Sequence, residues 1–281
     1  MRANPSAPWW NTDCRWRRPQ GAFVKTKATG LVGKDKMPKE QKLLAVLIDA
    51  DNIPAKYAAP ILREITTYGE PALRRVYADW SSSALGNWKK EVVELGLVAS
   101  QETANTKGKN ASDIGLVIDA MDILHTGRFD GFVLVSSDSD FTALANRLRE
   151  DGVEVIGIGE SKAPVSLRNV CNRFILIENI VGQDKDAVPA KPNVKSAPAI
   201  EAPSPQPPSK AIPLVIKAMD SIDREGEWFS LGQLGQYITR ANPDFDSRTY
   251  GSPKLSDLLA KTGRFEVRKG QGNHLEVRRL D

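Results

Sequence analysis

The side chains of this chain best suited to chemistry are aspartates at the ends of apolar runs. Asp49 closes LLAVLID (43–49) and is followed by Asp51 and Asn52; Asp79 closes ALRRVYAD (72–79). Asp138 closes GFVLVSSD (131–138) and is followed by Asp140, while Asp113 stands at the start of an apolar helical stretch. In a parallel sheet Asp49 and Asp138 share one edge, and neighbouring strands lie about 4.8 Å apart. Two carboxylates about 4 Å apart repel by about 4 kcal/mol at an effective dielectric near 20. Such a group is unfavourable unless it binds a cation or takes up protons. An oxygen-only donor set favours Mg²⁺ or Mn²⁺, ions able to polarise a phosphodiester, generate hydroxide and stabilise a leaving oxygen. Structural roles compete at each position. Asp51, Asn52 and Asp140 stand where helices begin and can cap them, and Asp113 can complement a helix dipole. Asp49 and Asp138 end buried strands and have the fewest structural explanations. Asp79 is ambiguous. Asp119 and Asp122 share the helix of Asp113 at other angles and are expected to be solvated or ion-paired.

Other chemistries are poorly supplied. Two histidines, His125 and His274, leave little for imidazole catalysis; His125 suits a helix C-terminus. The two cysteines, Cys14 and Cys171, are too far apart in sequence for a metal-ligand spacing, and Cys171 is expected to be buried. Cysteine usage and the absence of an apolar run near the roughly 18 residues of a membrane span point to a reducing cytoplasm and no membrane partner.

The elements that must position these aspartates follow from the hydrophobic pattern. Strands are expected at 43–49, 72–79, 96–100, 131–138, 153–159 and 173–180, with helices near 55–68, 83–95, 111–125, 141–151 and 165–171. Apolar strands alternating with helices imply an α/β fold, a mostly parallel sheet covered on both faces. Sites in such sheets lie at the carboxyl ends of the strands. Residues 43–182 form this domain, with 14 Lys/Arg against 19 Asp/Glu. Residues 1–36 carry most of the excess positive charge and read as a disordered basic segment; Met37 resembles a natural start, so the segment is either an upstream extension or an arm for phosphate contacts. Residues 183–210 hold seven prolines and read as a semi-extended linker. Residues 211–281 offer helices at 211–224, 230–240 and 252–262 and strands at 265–269 and 274–280, the pattern of a small winged helix-turn-helix.

LLAVLIDADN, KGKNASDIGLVIDAMD and GFVLVSSDSDFTALANRLREDGVEVIGIG resemble, in order and spacing, the NYN domain family of PIN-like nucleases, including the bacterial LabA-like group. The resemblance spans about residues 43–180. It implies a PIN-like three-layer sandwich and Mg²⁺- or Mn²⁺-dependent RNA hydrolysis. Asp49, Asp113, Asp138 and Asp140 match its acidic positions and are implied as catalytic metal ligands, with Asn52, Lys107, Lys109, Asn110 and Ser137 nearby as nucleic-acid contacts. Trp80 and Trp88 are further candidates, for stacking on unpaired bases, although Trp88 suits a core equally. IPLVIKAMDSI, WFSLGQLGQYI and TYGSPKLSDLLAKTGRFEVR resemble the OST-HTH, or LOTUS, family, which is associated with RNA binding. Candidate RNA contacts there are Arg248, Lys254, Lys261, Arg268 and Lys269.

The reading is a metal-dependent endoribonuclease of single-stranded RNA with a C-terminal RNA-recruiting domain, compatible with a homodimer. The alternatives are a noncatalytic RNA-binding adaptor and a haloacid dehalogenase-like phosphatase. The latter normally has Thr or Val two places after its DxD, where this chain has Ile53.

Overall fold

The computed structural model describes residues 41–81, 85–101, 111–182, 205–222, 226–270, 272 and 274–280. Expectations for residues 1–36, for most of the proline-rich linker and for Lys107, Lys109 and Asn110 lie outside them.

The central strand shows why the sheet must be covered twice. In β1 (Leu43–Asp49), Leu44, Val46 and Ile48 enter one apolar core while Ala45 and Leu47 enter another. A strand apolar on both faces is stable only between two helical layers. The other strands are β2 (Glu70–Ala78), β3 (Val98–Gln101), β4 (Gly131–Val135), β5 (Glu154–Gly159) and β6 (Arg173–Leu176). They form one sheet in the order β3-β2-β1-β4-β5-β6, with every neighbouring pair parallel. The helices of this domain are α1 (Ala58–Ile65), α2 (Gly86–Glu94), α3 (Ala111–His125), α4 (Thr142–Glu150), α5 (Val165–Val170) and α6 (Ile177–Val181). α1, α2 and α6 cover the first core; α3, α4 and α5 cover the second. The α/β three-layer expectation is therefore met. The chain runs outward from β1 to β3, then returns to place β4 on the other side of β1. The carboxyl ends of β1 and β4 thus flank the point where the order reverses, the usual position of a binding crevice in such sheets.

Two expected strands are shorter than their apolar runs. GFVLVSSD leaves the ladder after Val135. RFILIENI leaves the sheet at Leu176 and turns into α6, because Ile177 and Ile180, three apart, bury on one side of a helical turn while the Glu178 carboxylate accepts the Ser161 amide at 2.8 Å. Gly157 in β5 answers a close approach: a Cβ there would stand 2.4 Å from the Phe174 ring.

The second domain comprises α7 (Ile212–Asp220), β7 (Phe229–Ser230), α8 (Leu231–Ala241), α9 (Leu255–Thr262), β8 (Phe265–Lys269) and β9 (Leu275–Arg279). Val215, Met219, Leu234, Ile238, Leu259, Phe265 and Val277 form its core. The wing is a three-stranded antiparallel sheet, β7-β9-β8, because Phe229 and Ser230 add a short strand to the expected hairpin.

The described residues of the two domains belong to one compact unit, with the second domain docked on the first. The outward-facing amide of Phe174, on the edge strand β6, donates to the Pro243 carbonyl at 2.8 Å. Asn179 Nδ2 donates to Thr249 Oγ1 at 2.9 Å, and Arg168 lies 3.5 Å from Asp244. Arg248 donates to both carboxylate oxygens of Glu64 at 2.9 and 3.1 Å, and also to Asp246, with 13% of its side chain exposed. The expectation that Arg248 contacts RNA is corrected: two carboxylates already saturate its guanidinium.

Candidate active site

Asp49 is the last residue of β1 and continues the parity of Ala45 and Leu47, which places it on the α3–α4 side. It is 1% exposed. A buried carboxylate needs hydrogen bonds, and Asp49 has them. Oδ1 accepts the amides of Asp51 and Asn52 at 3.2 Å each; Oδ2 accepts Asn52 Nδ2 at 2.7 Å and Ser136 Oγ at 2.8 Å. Burial nevertheless pushes its pKa up, outweighing the bonds from Asn52 and Ser136 that favour the charged form. Ser136 leaves β4 directly beside Asp49 because the pairing Ile48↔Val135 sets their register. Its hydroxyl also accepts the Asp138 amide at 3.1 Å, so one serine ties the ends of both central strands together. Asp138 then caps the short turn Ser139–Phe141, its Oδ1 accepting the Asp140 amide at 3.0 Å.

Asp113 comes from the third direction, in the first turn of α3. Its pKa is raised to about 6. Burial is the largest cause, followed by the charges of Asp49, Asp138, Asp51 and Asp140. The structure thus gathers all four predicted acidic residues into one electrostatic neighbourhood and adds Asp51. That residue follows Asp49 in the sequence and had helix capping as its competing reading. Its Oδ2 accepts the Ser112 hydroxyl at 2.9 Å, linking the turn after β1 to the start of α3. The Asp79 carboxylate accepts the Ser81 hydroxyl and amide, which lower its pKa.

Among the described residues, no three Asp, Glu, His or Cys side chains are arranged to grip an ion as they stand. The donor set still fits a hard divalent cation. It is all oxygen, it lies at the carboxyl edge of the sheet, and the four charges acting most strongly on Asp113 are carboxylates.

Several expected contacts have other duties. The Asn52 side chain holds Asp49. Ser137, expected as a nucleic-acid contact, is 7% exposed and its hydroxyl accepts the Glu160 amide at 2.8 Å. Trp88 is buried with its indole N–H donating to the Ile53 carbonyl, and Trp80 donates to the Ser100 carbonyl. Asp119 is ion-paired to Arg75 and accepts the Tyr77 hydroxyl. Cys171 is buried, as expected. In the second domain Lys254 and Lys269 are exposed, whereas Arg268 stacks 3.7 Å from the Trp228 ring centre and pairs with Glu276.

A parallel sheet between two helical layers, with acidic residues gathered where its strand order reverses, is the architecture of a PIN-like α/β domain. The NYN domain profile matches residues 43–178, and the OST-HTH/LOTUS domain profile matches residues 203–277, so the chain carries one domain of each kind. No curated protein matches the chain in sequence. Among solved structures, a protein of unknown function, VPA0982 from Vibrio parahaemolyticus, is 19% identical with a TM-score of 0.43, over 50% of this chain and 96% of its own. An uncharacterized protein from locus NE0665 of Nitrosomonas europaea is 31% identical with a TM-score of 0.24, over 33% of this chain and 92% of its own. Among the described residues no helix is long and apolar enough to cross a membrane.

Proposed function

We propose that the protein is a Mg²⁺- or Mn²⁺-dependent endoribonuclease acting on single-stranded RNA, which its OST-HTH domain helps to recruit. The observation that carries this reading is Asp113, an acidic group at the mouth of a nuclease fold whose pKa is raised to about 6 by burial and by four neighbouring carboxylates. Asp49, Asp113, Asp138 and Asp140 would hold the ion. When bound, it supplies Lewis-acid polarisation of a phosphodiester and activation of water. The chain's own contribution is positional. Ser136 and Asn52 fix the Asp49 carboxylate, and Ser136 also holds the Asp138 backbone. Asp51 and Ser112 join the β1 turn to α3, which presents Asp113. No side-chain nucleophile is required, in keeping with only two histidines in the sequence. Lys107, Lys109 and Asn110 precede α3 in sequence and are assigned to the RNA backbone, with Lys254 and Lys269 as contacts on the second domain.

The test is an end-labelled single-stranded RNA incubated with the full chain in Mn²⁺, Mg²⁺ or EDTA, beside folded Asp49→Asn and Asp138→Asn proteins. Internal cleavage that needs the ion and disappears in both variants is expected. Undiminished cleavage in folded Asp138→Asn refutes the assigned site. RNA binding without cleavage in any ion moves the reading to a noncatalytic adaptor.

A further inference from the structure

A cleft of about 580 Å³ opens where the two domains meet, at the end of the strands opposite the carboxylates. Tyr68, just before β2, and Arg173, the first residue of β6, line it from the nuclease domain. From the second domain come Phe245 and one face of α8: Gly232, Gly235, Gln236 and Thr239, spaced as one helical stripe. The opposite face of α8 carries Leu234 and Ile238 into the domain core.

The two glycines bear on what the cleft is for. Glycine is among the poorest helix formers, and packing does not demand it at either position. A Cβ on Gly232 would have only Ser230 Oγ near it, at 3.9 Å, and one on Gly235 would sit in ordinary contact with Leu255 at 3.5 Å. What both glycines preserve is the open space in front of α8. The walls around that space are aromatic and polar. The Arg173 guanidinium lies 5.3 Å from the centre of the Tyr68 ring, and the Phe245 ring packs on Tyr250 with centroids 5.9 Å apart. Gln236, Thr239 and Thr67 add hydrogen-bonding groups. Charge in the cleft is balanced, since Arg248 is held by Glu64 and Asp246 while Arg173 has no carboxylate partner among the described residues. A balanced, aromatic-walled, polar-edged space suits an uncharged planar heteroaromatic better than a bare phosphate.

We propose that this interdomain cleft receives an unpaired nucleobase of the RNA substrate, a second contact on the far side of the sheet from the cleavage site. The proposal rests on the RNA-directed function above. A strand of six residues spans roughly 20 Å, so the base in the cleft belongs to a nucleotide several positions away from the one at the carboxylates. Because each domain supplies one wall, the site exists only while the domains are docked.

The experiment measures binding of the full chain to a fluorescent single-stranded RNA in EDTA, where cleavage does not intervene. Gly232→Leu fills the cleft from a position with room for a side chain; Tyr68→Ala removes an aromatic wall. Each is expected to weaken RNA binding about tenfold, the effect of losing one base stack. Gly232→Leu is expected to melt no lower than wild type, because leucine is the better helix former. Unchanged RNA affinity in both variants overturns the proposal, and the nuclease reading survives if wild type still binds and cleaves. Adenosine monophosphate is the second probe. Its binding by wild type but not by Gly232→Leu, with RNA affinity unchanged, also overturns the proposal and gives the cleft to free nucleotides. A wild-type chain that binds no RNA sinks both this inference and the function it rests on.

Discussion

Replacing Asp113 by asparagine is expected to stabilise the metal-free protein, and to do so only above mildly acidic pH. The folded protein raises the Asp113 pKa from 3.8 to about 6. A carboxyl with a raised folded-state pKa binds its proton more tightly when folded. Below pH 3.8 both states hold the proton and no cost arises. The cost develops as pH climbs from 3.8 to about 6 and is complete above that. A shift of roughly two units corresponds to about 3 kcal/mol at about 1.4 kcal/mol per unit. Asp113 is only partly buried, so solvent screening reduces this to about 1–2 kcal/mol. In a chain of this size that is a melting shift of about 2–6 °C. The assay is thermal unfolding of wild type and Asp113→Asn in EDTA at several pH values from 4 to 8. The two curves should coincide near pH 4 and separate by pH 7, with the variant higher. Adding Mn²⁺ should raise wild type at pH 7.5 and leave the variant nearly unmoved. A variant that melts with or below wild type at pH 7.5, or a difference independent of pH, would refute the argument that uncompensated carboxylates gather here.

Two substitutions away from the acidic residues probe what holds the site. Gly159→Ala would place a Cβ 2.6 Å from the Ser136 carbonyl; overpacking of this kind costs about 1–3 kcal/mol, and the displaced Ser136 turn should lower turnover more than RNA affinity, read by denaturant unfolding and by kcat against KM. Arg248→Ala strands Glu64 and Asp246 without their partner, costs about 3 kcal/mol, and should release the second domain, seen as a larger radius of gyration in small-angle scattering; an unchanged radius would show that the remaining contacts suffice for docking.

The sequence disclosed what depends on local pattern. Asp49 and Asp138 were legible because a carboxylate ending a buried apolar run has few structural explanations, and β1 was legible because both its faces are apolar. What escaped depends on distant partners. Ser136 reads as an ordinary residue at a strand end, yet its hydroxyl serves Asp49, 87 positions away. Arg248 looks like a surface cation in SRTYG, and nothing local reveals Glu64, 184 positions away. Asp51 has the look of a helix cap, and only the arrival of Ser112 from α3 gives it another duty. RFILIENI is a convincing strand by composition; burial of Ile177 and Ile180 on one side decides for a helical turn. Gly232 and Gly235 look like weak points in a helix until the opposite wall of the cleft is in view.

The bond from the Phe174 amide to Pro243 also bears on the order of synthesis. An uncovered sheet edge is a template for pairing with another chain, and here the second domain caps an amide of one edge strand. During translation the earlier of these two domains folds first, so its sixth strand emerges from the ribosome with that amide exposed and stays so until the second domain follows. Nascent chains are in that interval the most prone to stick to one another, and arrival of the second domain closes the interval.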